Sequence, residues 1–145
     1  MGKTVRTGAE LTKALVDLGK ALEKKDLTPT IQKLTLSGFR YITRRTPVRT
    51  GFLKSRWAIV VNAPAPSNLL QNPNPAGTFS PPSTPNMNPI EWGDKVTIFN
   101  NTEYAYFVDE GKGDNPKQPM IEPTYRYLEG LSKRLLDSIS KKKVS

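Results

Sequence analysis

Thr46-Pro47-Val48-Arg49-Thr50-Gly51-Phe52-Leu53-Lys54-Ser55-Arg56-Trp57 acts as structural punctuation and carries no evident chemistry. Pro47 biases Thr46 away from helical angles, so a helix arriving from the N-terminal side ends near Arg45. Gly51 permits a backbone angle that other residues resist. The hydroxyls of Thr46 and Thr50 can bond local backbone groups. The run Trp57-Ala58-Ile59-Val60-Val61 is aromatic and β-branched and reads as a strand with Trp57, Ile59 and Val61 on one side. The stretch is therefore a tight corner between a helix and a strand. Its counterpart is Asn100-Asn101-Thr102-Glu103-Tyr104-Ala105-Tyr106-Phe107-Val108-Asp109-Glu110-Gly111. There the asparagine pair ends a strand in a turn, an aromatic segment makes one or two helical turns, and Gly111 stops it. Neither stretch holds a catalytic group with an evident partner.

Upstream of the corner, Thr28-Pro29 reads as a helix start, because the hydroxyl can cap free amides and proline loses no needed donor at the first helical position. Ile31, Leu34, Gly38 and Ile42 mark the inner face of that helix, widened by Phe39 and Tyr41. Before it, Leu11, Ala14, Leu15, Leu18 and Leu22 fall on one helical stripe, which predicts another helix over residues 9–25. Between the two quoted stretches, Asp94 to Asn100 reads as a strand, with Val96 and Ile98 on one face and Phe99 on the other. Pro123-Thr124 opens a last helix to about Ser140, with a stripe of Tyr127 or Leu128, Leu131, Leu135 and Ile139. Lys141-Lys142-Lys143 closes it as a basic tail that suits the negative end of the helix dipole. The whole predicts an α+β fold: two N-terminal helices, a small antiparallel sheet, a short aromatic helix and a C-terminal helix. At 145 residues the chain suits one domain. It shows no internal repeat.

Residues 63–90 break this pattern. They contain 8 of the chain's 13 prolines and 5 asparagines, and no charged residue. Such a stretch sustains neither a ladder nor a long helix, so it reads as an extended loop or arm between the strands. Leu69, Leu70, Phe79, Met87 and Ile90 are spread through it as candidate anchors, docking on another surface.

Composition excludes whole classes of chemistry. With no cysteine there are no disulfides, thiolate metal sites or thiol nucleophiles. With no histidine, His-type serine hydrolases and nearly all zinc enzymes drop out. No metal or other cofactor is expected. No apolar run approaches the ~18–20 residues needed to span a bilayer, and no signal peptide is expected, so neither is a membrane partner. The net charge of +9 is uneven: residues 1–56 carry 13 Lys and Arg against 4 Asp and Glu, whereas residues 57–145 carry 9 of each. Arg40, Arg44, Arg45, Arg49, Lys54 and Arg56 cluster around the corner and suit acidic groups on a neighbouring subunit or phosphate. A nucleic-acid-binding module over residues 33–56 is accordingly the alternative, although no RNA-binding aromatic signature or helix-turn-helix pattern accompanies the charge. Asp109-Glu110 is the one acidic pair beside aromatics. Consecutive helical residues point about 100° apart, so the pair reads as structural, bonded to arginine, and the protein is not expected to be an enzyme. Tyr104, Tyr106 and Phe107 fit either a core or a binding surface.

Thr46 to Trp57, Asn100 to Gly111 and Pro119 to Thr124, in that order and spacing, resemble the small head–tail joining and tail-completion proteins of tailed bacteriophages. These are the lambdoid gene-product-ten-like group with its minor tail protein Z relatives. The family pattern runs Thr-Pro-Val-x-Thr-Gly-x-Leu-x-x-Ser-x-Trp, then an Asn-rich turn and Tyr-Ala-x-x-Val-Glu-x-Gly, then a proline-bearing start to a terminal helix. Thr46, Pro47, Thr50, Gly51, Leu53, Ser55, Trp57, Tyr104, Ala105, Asp109 and Gly111 stand at its positions here. The chain departs from it with Arg49 where an acidic residue is common, with Asp109 in place of Glu, and with the 28-residue insertion of residues 63–90. The resemblance implies a virion subunit that assembles with itself as a ring, a hexamer, at the neck or the head-proximal tail end. It implies as partners the connector or head-closure protein and the tail tube or terminator, with transient proximity to DNA. Assembly would take place in the host cytoplasm. Arg44, Arg45, Arg49, Leu69, Leu70, Phe79 and Met87 are the residues expected at partner contacts.

Overall fold

Apolar residues recurring at three- and four-residue steps build α1 (Lys24–Arg45), where Leu27, Ile31, Leu34, Phe39 and Ile42 are buried. The computed structural model describes residues 4–5, 24–48, 51–111 and 117–144. The helix expected over residues 9–25 lies outside them, apart from Lys24 and Lys25, which already belong to α1. The expected start at Thr28-Pro29 is corrected, since the helix is running at Lys24 and Pro29 sits inside it. Pro29 removes the amide that would reach back to the Lys25 carbonyl. Burial of Leu27 to 2% exposure holds the earlier turn in place. The Thr28 hydroxyl accepts the Trp92 N–H at 3.1 Å, tying α1 to a distant loop. The helix ends at Arg45, where Pro47 requires it to.

A single turn of helix, α2 (Phe52–Ser55), leads into β2 (Ala58–Val61). β2 pairs antiparallel with β3 (Val96–Phe99), Ile59 opposite Ile98 and Val61 opposite Val96. A two-residue strand, β1 (Thr4–Val5), adds to the other edge of β3, so the order is β1-β3-β2. Nothing in the sequence pattern marks β1. Phe99 points away from Ile98 yet is buried like it, so the central strand is covered on both faces.

The chain continues through α3 (Ala105–Glu110) to α4 (Ile121–Val144). α4 begins before Pro123 and outruns the expected end at Ser140, continuing helical through the lysine triplet. Its innermost line is Thr124, Leu128, Ser132 and Leu136, while Leu131, Leu135 and Ile139 flank it half-buried. The expected stripe is thus rotated by about a residue, because Thr124 and Ser132 can turn inward by bonding their own helix. Their hydroxyls donate to the carbonyls of Met120 (2.7 Å) and Glu129 (2.7 Å). α4 lies against α1, where Tyr41 stacks on Tyr127 with centroids 4.4 Å apart.

The result is an α+β fold. Its main core joins Leu34, Phe39, Ile42, Leu53, Trp57, Ile98, Ala105, Val108, Met120, Leu128 and Leu136. α1, α2, α3, α4, β2 and β3 each contribute to this core or flank it. A smaller cluster of Ile31, Ile90 and Val96 is walled by Met87 and Trp92. Residues 63–90 end in that cluster, with Ile90 1% exposed and its carbonyl accepting Gln32 Nε2 at 2.9 Å. The loop is laid back on its own domain at three places: Leu70, Phe79 and Ile90.

Candidate functional site

Thr46 is the pivot of the corner. It is 3% exposed, and its hydroxyl donates to the Ile42 carbonyl (2.6 Å) while accepting the indole N–H of Trp57 (2.7 Å). One hydroxyl serves as donor and acceptor at once, which locks the end of α1 to the entrance of β2. Arg49 and Thr50 lie outside the described residues, Pro47 is half-buried, and Val48 is exposed. Gly51 adopts φ 88°, the left-handed region. It also lies against the Phe79 carbonyl, whose oxygen would stand 2.5 Å from any Cβ there. Phe79 in turn sets its ring edge-on to Phe52 at 5.0 Å. Ser55 donates its hydroxyl to the Phe52 carbonyl and its amide to the Gly51 carbonyl, closing the turn.

The second stretch is bonded to the first. Asn100 is 2% exposed, and its Nδ2 donates to the Leu53 carbonyl at 2.7 Å, 47 residues away. Its Oδ1 accepts the Thr102 amide at 3.0 Å, which makes the turn. The sequence shows Asn100 as a turn residue alone and misses its pairing with Leu53. The signal for it is an asparagine directly after a β-branched strand whose last residues are buried. Asn101 clips the loop: its Nδ2 donates to the Asn68 carbonyl (2.9 Å) and its carbonyl accepts the Leu70 amide (2.8 Å). Thr102 is 1% exposed and its hydroxyl has no partner among the described residues. Thr102→Val keeps the shape and removes this buried unpaired group. It is expected to raise the unfolding free energy by about 1 kcal/mol, read from the urea midpoint.

Asp109 does not pair with arginine, the partner its charge suggests. It is buried, and its Oδ1 accepts the amides of Met120 (2.7 Å) and Ile121 (3.1 Å). The carboxylate therefore caps α4 from another helix, where free amides and the positive end of the dipole favour an anion. Gly111 adopts φ 69° and ends α3, and Lys117 packs so closely that a Cβ at Gly111 would meet its Cα at 2.7 Å. The Gln118 amide donates to the Val108 carbonyl and brings the chain back to Asp109. Asp109→Ala is expected to cost about 2–3 kcal/mol, and Asp109→Asn, which keeps an oxygen acceptor, about 1. Urea unfolding followed by circular dichroism checks both.

The aromatic segment is divided between core and surface. Ala105 and Val108 enter the main core and Tyr104 packs against it, whereas Phe107 is 44% exposed with Tyr106 edge-on at 5.9 Å. The basic cluster is dispersed. Arg45 Nε donates to the Pro119 carbonyl (3.1 Å), Arg56 lies over the Phe52 ring (5.1 Å), and Lys54 is half-buried. Arg40 and Arg44 remain on the rim of an open groove of about 380 Å³, lined also by Phe39, Thr43, Pro82 and Thr84. Of the loop residues expected at partners, Phe79 and Met87 pack within the chain and Leu70 is half-buried. Leu69 is exposed.

Among the described residues no three His, Cys, Asp or Glu side chains gather as a metal site, and no helix is long and apolar enough to cross a membrane. What the arrangement does chemically is hold the backbone: the buried polar side chains Thr46, Asn100 and Asp109 are bonded to main-chain groups or to one another's stretch. No protein-family model, curated protein or solved structure matches this chain.

Proposed function

We propose that this protein is a structural subunit of a tailed-phage virion, forming a ring, a hexamer, at the neck or the head-proximal end of the tail. The ring completes the tail and joins it to the head. The observation that carries this reading is the bonding of the two family-like stretches to each other through Asn100 and the Leu53 carbonyl. Thr46, Ser55 and Asn100 spend their side-chain polar atoms on the fold, and Asp109 its Oδ1. A site built for turnover would hold at least one such group ready for substrate. An assembly subunit needs instead a stiff body that presents fixed surfaces to its neighbours. Dispersal of the basic cluster also weakens the alternative of a nucleic-acid-binding module on residues 33–56. A ring through which DNA passes must avoid tight phosphate binding, and scattered cations suit that requirement.

Electron microscopy of particles lacking the protein tests the proposal. Full heads beside separate tails of normal length are the expected result for a joining role, and tails of aberrant length indicate a terminator. The protein staying monomeric, and binding neither connectors nor tail tubes, would end the proposal.

A further inference from the structure

The groove beside α1 carries two charges that have no partner among the described residues. Arg40 and Arg44 are four residues apart on one helix, so their side chains leave the same face. Both are exposed, and among the described residues neither makes a hydrogen bond or ion pair. The opposite wall of the groove comes from Pro82 and Thr84, in a loop that has no charged residue between positions 63 and 90. Among the described residues no carboxylate faces the pair, so the groove is open to one supplied by a second copy of the chain. Phe39 and Pro82 give the lining an apolar part, so the groove suits a carboxylate set among apolar side chains. A nucleic acid backbone would instead need a long stripe of cations, and Arg45 and Arg56 are already engaged elsewhere.

The chain presents such a group. Glu103 is exposed, and its carboxylate has no partner among the described residues. Its amide donates to the Leu70 carbonyl at 2.7 Å, which ties it to the backbone next to the exposed Leu69. Phe107, equally exposed, lies one helical turn later. Among the described residues Leu69, Val48 and Phe107 are the exposed large apolar side chains, and Leu69 and Phe107 belong to the two segments that meet at the Glu103 amide.

We infer that the Leu69–Glu103–Phe107 surface of one copy docks into the Arg40–Arg44 groove of the next. The two surfaces share no residue, so the contact is head-to-tail and propagates from copy to copy, closing as a ring when the rotation allows. Guanidinium pairs recognise a carboxylate in a fixed geometry, which gives the contact its register. The inference rests on the ring reading and names the surfaces that form the ring.

Charge reversal tests it on the full-length chain, with assembly scored by sedimentation velocity in solution and by electron microscopy on purified connectors. The substituted residues are exposed, and circular dichroism checks that each variant is folded. Arg40→Glu/Arg44→Glu and Glu103→Arg are each expected to weaken assembly at least tenfold, and the variant combining all three to restore it. Undiminished assembly of Arg40→Glu/Arg44→Glu overturns the groove as the interface and leaves the ring reading standing. Failure of the combined variant to assemble overturns the pairing with Glu103. Loss of duplex-DNA affinity with assembly intact, in Arg40→Glu/Arg44→Glu, assigns the groove to DNA and overturns the inference. A parent chain that neither self-associates nor binds connectors removes the ring reading and the inference together.

Discussion

Gly51→Ala is expected to lower the unfolding free energy by about 2–5 kcal/mol, a large share of the stability of a domain this size. Two independent costs meet at this residue. The backbone is in the left-handed region at φ 88°, which an L side chain enters at a cost of about 1–2 kcal/mol. The new Cβ would also lie 2.5 Å from the carbonyl oxygen of Phe79. That oxygen is main chain and has no rotamer to escape into, so the loop itself has to move, adding about 1–3 kcal/mol. Its displacement draws the Phe79 ring away from Phe52, and that contact is one of the three that hold residues 63–90 down. Limited proteolysis supplies a second readout: it is expected to cut within residues 63–90 in the variant well before it cuts the parent. A urea midpoint unchanged from the parent would mean that the loop does not rest on Gly51 in solution.

Trp57→Ala is expected to cost about 3–5 kcal/mol through the cavity left by a buried indole. Trp57 is 3% exposed and sits in the main core between the end of α1 and the sheet. Its loss also leaves the Thr46 hydroxyl with the Ile42 carbonyl as its sole partner. Trp57→Phe separates the two contributions. It keeps much of the packing but loses the hydrogen bond, and is expected to cost about 1–2 kcal/mol. Thr46→Val is expected to cost about as much, because it leaves a buried indole N–H unpaired. The pair of substitutions should cost less than the sum of the two, since the second removes a group already orphaned by the first. Strict additivity would show that the 2.7 Å contact contributes nothing.

Local features of the chain are legible where the physics is local. Pro47 ends α1 at Arg45, the β-branched run makes β2 from Ala58 to Val61, and Gly51 and Gly111 do adopt positive φ. The inner face of α1 can be read from the spacing of Ile31, Leu34, Phe39 and Ile42. The pattern misleads where a distant partner changes the local balance. Thr28 resembles a cap, yet its oxygen accepts an amide 64 residues away while Leu27 holds an earlier turn. Hydrophobic spacing places the α4 stripe on Leu131 and Leu135 because it counts serine and threonine as outward. Thr124 and Ser132 turn inward by bonding the carbonyls of their own helix. Charge alone assigns Asp109 to an arginine, although two free amides at the start of α4 offer it a better-aimed positive potential.

The candidate site divides along the same line. Hydrophobic period, proline and glycine act through a residue and its near neighbours, so the amino-acid order alone marks the end of α1, the two main strands, the corner and the absence of histidine and cysteine chemistry. The bonds that hold the site together span 11 residues from Thr46 to Trp57, 47 from Leu53 to Asn100 and 11 from Asp109 to Met120. Each depends on where rigid elements come to rest against one another, and no run of neighbouring residues encodes that placement. The tertiary packing therefore chose which carbonyl Asn100 would meet and laid the proline-rich loop back onto Gly51. It also left Arg40, Arg44 and Glu103 without partners among the described residues.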